Sequence, residues 1–524
     1  MHSSILELSR KKAIFDGMKQ GMYFFICWLC VTPYLLAQSF DEELSVKKMV
    51  KDLEVFKDLR IKANSGIYKY RTKEEIDSTY RWAFDEIQKS KTFGDFFNIV
   101  CALTDFEGSL HNDTSLPKEV HNLIRKEEKG YFPFPIKLVE GKTVFNIAEK
   151  DIPVGAEIIS INNRSLDEII PNLYKYYTTD GLNITGKSIG INYHFSKYYR
   201  LHYGLEDSFE VKYREHKSND VQQTIFESVG YIDYYKNVKN RYSKPFDKPN
   251  YAKHGELGEN GNYGYKKLND STGLLTVNSF SIGGNGSAPE HLEYVEFLDR
   301  TFGKMKMDGI KNLVVDVRYN GGGTDPNDLV TYSYLTQRNF SENKQAWISF
   351  RKIPYLKLNA DSNLPYFIKI LGVGRYNKQF RKAFPKTQDG GYYQDDTSSD
   401  HKVRVPNKNA FTGQIYLLIS PRIASAGSLF AAMVAGNPNT TVIGEETMGG
   451  YYGHNGHVPL SYKLPKSKIE TSFSVVNLEQ DVPEKANQIY ERGIIPDHIV
   501  PQTYKDYLNQ TDTQMNFVLE LLKR

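Results

Sequence analysis

From residue 263 onward the chain alternates apolar strand-like runs with helical stretches, and this alternation constrains its fold more than any other feature. "TGLLTVNSF" reads as a strand, "HLEYVEFLDRTFGKMKMDG" as a helix stopped by Gly309, and "KNLVVDVRYNGGG" as a strand running into a glycine turn. "GQIYLLIS", "SLFAAMVAG" and "TTVIGEE" repeat the cycle, with Gly436-Asn437-Pro438 ending the second helix. Alternation at these lengths predicts an α/β layered domain with parallel strand pairs. Residues 350–408 interrupt it as a long irregular stretch with an acidic, Ser/Thr-rich tip, a candidate lid.

The upstream half has a different character. Residues 40 to 125 read as helices: "DEELSVKKMVKDLEVFKDLR" carries a broad apolar stripe, and Thr72 followed by Glu75 forms a capping-box pattern. "TFGDFFNIVCALTDF" is a further apolar helix ending near Glu107-Gly108, and the polar turn "SLHNDTSLP" after it holds His111. Residues 129–228 are β-rich. "PIKLVEGKTVFNI", "GAEIISINNRSLDEI" and "SFEVKYREHKSNDVQQTIF" give strands, a Gly turn, a helix start and a closing hairpin, with 176–205 as an insertion. That order resembles a PDZ domain, a fold that binds extended peptides by adding them to a sheet edge. The expected division is a leader at 1–38, a helical domain at 39–128, a PDZ-like domain at 129–228, a linker at 229–262 and the α/β domain at 263–524.

A chain of 524 residues exceeds one core. The net charge of +4 is mild, and no dense Lys/Arg run suggests nucleic acid. "MKQGMYFFICWLCVTPYLLAQSF", from Met18, has one Lys, an apolar run and Ala37-Gln38, the layout of a secretory signal. Translation then begins at Met18 or Met22, and the product is exported to the periplasm or outside a bacterial cell. A permanent N-terminal anchor is the alternative. Removal of the signal leaves Cys101 as the last of three cysteines, so no internal disulfide is expected.

Ser425 lies in "YLLIS-PRIASAG-SLFAAMVAG", a strand-to-helix turn. Such a turn lifts a hydroxyl off the sheet beside free helix N–H groups, and Ala424 and Ala426 leave room for a substrate backbone. The N–H of Ala426 can face a developing oxyanion. Serine is equally a favoured helix cap, a role Ser428 also fits. Gly321, Gly322 and Gly323 follow a buried strand, where backbone N–H groups can approach a ligand closely; no Lys-Ser/Thr follows, so a P-loop is excluded. Asp316 and Arg318 suggest a charge pair anchoring that turn. His454 and His457 in "GGYYGHNGH" read as rim of the site or as a wall for the substrate; a metal pair is the other use of such spacing, and no metal or other cofactor is expected.

"LVVDVRYNGGG", "ASAGSLFAAMVAG", "VIGEETMGG" and "GIIPDHIV", in that order, resemble the S41 serine peptidases, the C-terminal-processing and tricorn-like family. The resemblance covers most of residues 263–505 and implies a crotonase/ClpP-like spiral, with Ser425 as nucleophile and the N–H groups of Ala426 and Gly322 as oxyanion donors. The C-terminal-processing branch pairs its serine with a lysine about 25 residues on, where this chain has Gly450. Lys463 and Lys466 lie beyond it. The tricorn-like branch implies instead a histidine from the helical domain and a late glutamate. His111 and Glu491 match these, with Ser109 as a candidate helper. The expected activity is hydrolysis of peptide bonds in extended protein or peptide substrates. Two rival readings are a peptide-binding relative without turnover and a crotonase-like acyl-CoA enzyme.

Overall fold

The computed structural model describes residues 39–147, 153–242, 261–324, 326–362 and 364–523. The expected leader, 1–38, and much of the expected linker, 243–260, lie outside them. The fold is mixed α/β, with three six-stranded sheets among the described residues. In the first sheet the order is His498–Ile499, Thr440–Gly444, Gln414–Ile419, Asn312–Asp316, Thr272–Val277, Tyr263–Asn269. All neighbours are parallel except the terminal hairpin of Tyr263–Asn269 with Thr272–Val277. This sheet is the one the alternating pattern demands.

Side chains alternate faces along a strand. Leu313 and Val315 therefore join the core beneath helices Pro289–Met307, Asn327–Ser333 and Ala426–Ala435. Val314 points the other way, to Met515 and Val518 of the helix Thr513–Leu521. All residues of Ala426–Ala435 are buried, which explains a helix apolar on every side. Burying Leu429, Phe430 and Met433 contributes roughly 2 kcal/mol each.

The second sheet joins distant parts of the chain. Asp113–Ser115, which begins two residues after His111, pairs antiparallel with Glu470–Gln480, which also pairs with Asn343–Ile348 and Asn455–Lys463. The third sheet holds Ile136–Val139, Lys142–Phe145, Glu157–Ile161, Ser208–Arg214 and Val221–Glu227, with Arg164–Ser165 beside Glu157–Ile161. The kinked helix Lys187–Tyr203 packs into its core through Ile191, Phe195 and Tyr199.

Two stretches differ from expectation. Residues 229–242 are not loop: Val229 pairs with Tyr131, and the helix Tyr231–Lys239 buries Tyr234 against Tyr131. Residues 350–408 are not irregular throughout. They contain the helix Tyr366–Ala383 and the short strands Lys386–Gln388 and Gly391–Tyr393. Cys101 is buried and free. Among the described residues, no helix is long and apolar enough to cross a membrane.

Candidate active site

The strand Gln414–Ile419 ends at the sheet edge, and the chain turns through 420–425 into the helix Ala426–Ala435. Ser425 has φ 53° and ψ −133°, a conformation costly for any residue with a Cβ. Its side chain caps nothing, so the hydroxyl is left for another partner. Ser428, which fitted a cap, lies inside the helix and donates back to the Ser425 carbonyl at 2.7 Å. The Ala426 N–H is the first of the helix, among those with no intrahelical acceptor.

That other partner is His111. Its Nε2 lies 3.2 Å from Ser425 Oγ, across 314 residues of sequence. Both residues keep part of their surface exposed, although the ring of His111 is largely enclosed. The loop carrying His111 is held on several sides. The buried Glu107 carboxylate accepts from Arg60 Nε at 2.8 Å, Asn64 Nδ2 at 3.0 Å and Asn112 Nδ2 at 2.7 Å. Thr178 Oγ1 donates to the Asn112 carbonyl at 2.8 Å. Asp180 Oδ1 accepts the Leu110 N–H at 3.0 Å, and its Oδ2 accepts the Gly450 N–H at 3.1 Å. Ser109 is fully buried and accepts the His111 N–H at 3.4 Å, so it supports the loop and does not bond the ring.

Glu491 is not brought to His111. Among the described residues, Nδ1 of His111 has no hydrogen-bond partner. The Glu491 main-chain carbonyl accepts the Leu182 N–H at 2.7 Å. The reason is topological: residues 180–182 thread between the His111 loop and the 491 loop. Gly181 N–H donates to the Gly108 carbonyl, and Asp180 N–H to that of Met448.

The ring of His454 takes the place beside His111, with centroids 4.7 Å apart and planes tilted by 34°. His454 is 2% exposed, and among the described residues both its ring nitrogens lack a hydrogen-bond partner. Of rim and wall, the two places expected for it, its burial fits the wall. His457 follows, its Nε2 3.7 Å from Glu342. Burial first, and then the charge of His457, lower the pKa of His111 to about 4, against a partial opposing pull from the Asn455 backbone. Burial holds His454 well below its ordinary value. Burial also raises Asp180 to about 7 and lowers Lys69 to about 8. Sequence reading passed over Asp180, Lys69 and Glu107, because each lies in an unremarkable local pattern.

The glycine turn sits directly against the serine. A Cβ on Gly322, at φ 107°, would come 2.9 Å from Ser425 Cβ and 3.1 Å from Ala426 N, so only glycine fits. Its N–H, however, donates to Asn320 Oδ1 at 3.0 Å. The expected donor is thus already engaged, and Gly322 provides closeness. Asp316 and Arg318 do pair, at 2.7 Å, and Asp512 holds Arg318 from the far side at 2.7 Å.

Gly450 explains the missing lysine. A Cβ there would meet the Gly453 carbonyl oxygen at 2.9 Å and the Tyr70 hydroxyl at 3.3 Å. Lys463 is paired with Glu470 at 2.8 Å, and Lys466 bonds Asp52 through its main chain at 2.8 Å. No group of three or more metal-binding side chains occurs among the described residues.

A serine at a strained strand-to-helix turn, with a histidine in reach of its hydroxyl and a glycine turn pressed against it, has the layout of a serine hydrolase site. Residues 271–500 match the family model "Peptidase family S41". Over that stretch the chain is similar to peptidase family S41, and it is a serine-type peptidase. Among solved structures it is similar to "mature CPAF complexed with lactacystin", at 13% identity over 91% of this chain and 98% of that one, with a TM-score of 0.55. It is also similar to "mature CPAF", at 13% identity over 88% and 94%, with a TM-score of 0.53. At that identity the likeness is one of fold. No curated protein matches the chain.

Proposed function

We propose that the chain is an exported serine endopeptidase in which Ser425 attacks the scissile carbonyl and His111 accepts, then returns, the proton. The observation that carries this reading is the 3.2 Å approach of His111 Nε2 to Ser425 Oγ. The tetrahedral oxyanion is received by the Ala426 N–H, a kind of donor whose loss typically costs about 3 kcal/mol of barrier. A donor from the glycine turn joins it, from Gly322 only if substrate displaces the bond to Asn320. Packing on His454 and the bonds around the loop orient the imidazole, where other sites use a carboxylate.

The module at 129–228 is proposed to act as a PDZ-like receptor for extended peptides. Its insertion supplies Asp180, which ties that module to the His111 loop and the Gly450 turn. Export follows from the leader-like residues 18–38.

A second reading, a peptide-binding protein without turnover, is favoured by one observation: among the described residues, Nδ1 of His111 has no carboxylate partner. Labelling with a fluorophosphonate, combined with turnover of an unfolded protein substrate, separates the two. Labelling and turnover that both vanish in Ser425→Ala support the peptidase. Peptide binding with neither, in folded wild type, leaves the binding protein.

A further inference from the structure

The helix Tyr366–Ala383, in a stretch whose pattern predicted no helix, is held to the body of the protein along one side: Asn377 Oδ1 accepts the Ile353 N–H at 2.9 Å, Lys369 donates to the Asn359 carbonyl, and Ala383 and Phe380 join a hydrophobic cluster. Phe380 is its buried residue and packs against Phe350 beside Phe384. At about 100° per residue, Phe367 and Leu371 lie opposite Phe380, with Ile370 to one side and Tyr366 at the helix start. They are exposed, Phe367 by 66% and Leu371 by 82%. On that same side, further along, stand the exposed Lys378, Arg381 and Lys382, with Arg375 at its margin. The helix contains no Asp or Glu. Its outer face is thus apolar in the first turns and cationic in the last.

We propose that this face docks on an anionic lipid surface, with Phe367 and Leu371 entering the acyl boundary and the C-terminal cations on the headgroups. Apolar and cationic side chains sharing one helix are the composition of segments that lie in a bilayer interface. A protein–protein patch instead surrounds its apolar anchors with a polar rim of both charges. Here the two kinds are separated along the axis, and negative charge is missing. The helix lies on the membrane and does not cross it. Phe380 and Phe384 pack in the same core as Tyr462 and Phe473, strand residues of the sheet that carries His457. Docking would therefore hold the peptidase site at a defined distance from the lipid.

The test is flotation of the full chain with phosphatidylglycerol vesicles and with phosphatidylcholine vesicles, comparing wild type with F367E/L371E and K378E/R381E. All three share the same N-terminus, so an anchoring leader contributes equally to each. The expected result is a loss of at least about tenfold in phosphatidylglycerol binding for each double variant, with peptidase turnover in solution unchanged. A Phe367→Trp variant gives a direct readout: its added fluorescence should be quenched by brominated acyl chains. Equal flotation of all three proteins would overturn the proposal. So would a wild type of twice the chain mass in solution that F367E/L371E renders monomeric, which would make the face an interface between copies.

Discussion

Asp113 lies opposite Ser472 in an antiparallel ladder, and this pairing is what delivers His111 to Ser425. Three residues of the early helical module become an edge strand on the second sheet. The histidine two positions before Asp113 is thereby set against a turn that belongs to the first sheet.

Replacing Ser425 by alanine is expected to lower peptide turnover by three or more orders of magnitude, and His111→Ala to do nearly the same. The double variant should be no worse than either, because the two act as one unit. Steady-state turnover, with circular dichroism to check folding, measures this.

Asp180 receives an N–H from each of two loops, so Asp180→Asn leaves one of them facing an amide group. A loss of about 1–3 kcal/mol in stability is expected. Turnover number should fall more than substrate affinity, since the His111 loop loses its tie. Urea unfolding and a comparison of kcat with KM would show it.

Gly450→Lys, which restores the residue type of the lysine branch, should not create a second base. Its Cβ meets the Gly453 carbonyl and its ammonium would be buried. Destabilisation of about 2 kcal/mol or more and lower turnover are expected, read from the denaturation midpoint and the rate.

The imidazole works as a base only when neutral. Burial lowers its pKa to about 4, so kcat/KM should hold as pH falls through the usual histidine range and decline only near pH 4. The linkage has the matching sign. An unfolded histidine binds its proton near 6.5, so the contribution of neutral His111 to stability is complete above that pH and declines from there toward about 4. A pH–rate profile with its acid limb at 6.5 or above would contradict this.

His454→Phe keeps an aromatic ring against His111, while His454→Ala removes it. The ring contact predicts that Phe retains most activity and that Ala loses about tenfold or more in kcat. Equal loss in both would assign the role to the ring nitrogens.

Much of the first sheet was legible, because a fully buried strand and a fully buried helix leave no choice of face to misread. Thr72 and Glu75 form the expected capping box. The helix Tyr366–Ala383 escaped notice because Gly372 and Gly374 interrupt it and no single apolar face runs its length. Tyr231–Lys239 was hidden in a polar context, its tyrosines being as common on strands as on helices.

The order of strand, glycine turn and helix, the place of Ser425 at a strand-to-helix turn and the candidacy of His111 were determined by the sequence alone. These depend on periodicity, side-chain size and turn chemistry within a few residues of each other. Only the tertiary structure decided that Glu491 does not bond His111, that the Gly322 N–H is taken by Asn320, and that His454 and Asp180 stand around the catalytic loop. Each of those outcomes depends on which loop threads past which and on the register of a three-residue strand against a partner some 360 positions away. No local pattern of residues encodes such a meeting, since its energy comes from burial and hydrogen bonding completed when the modules close on one another.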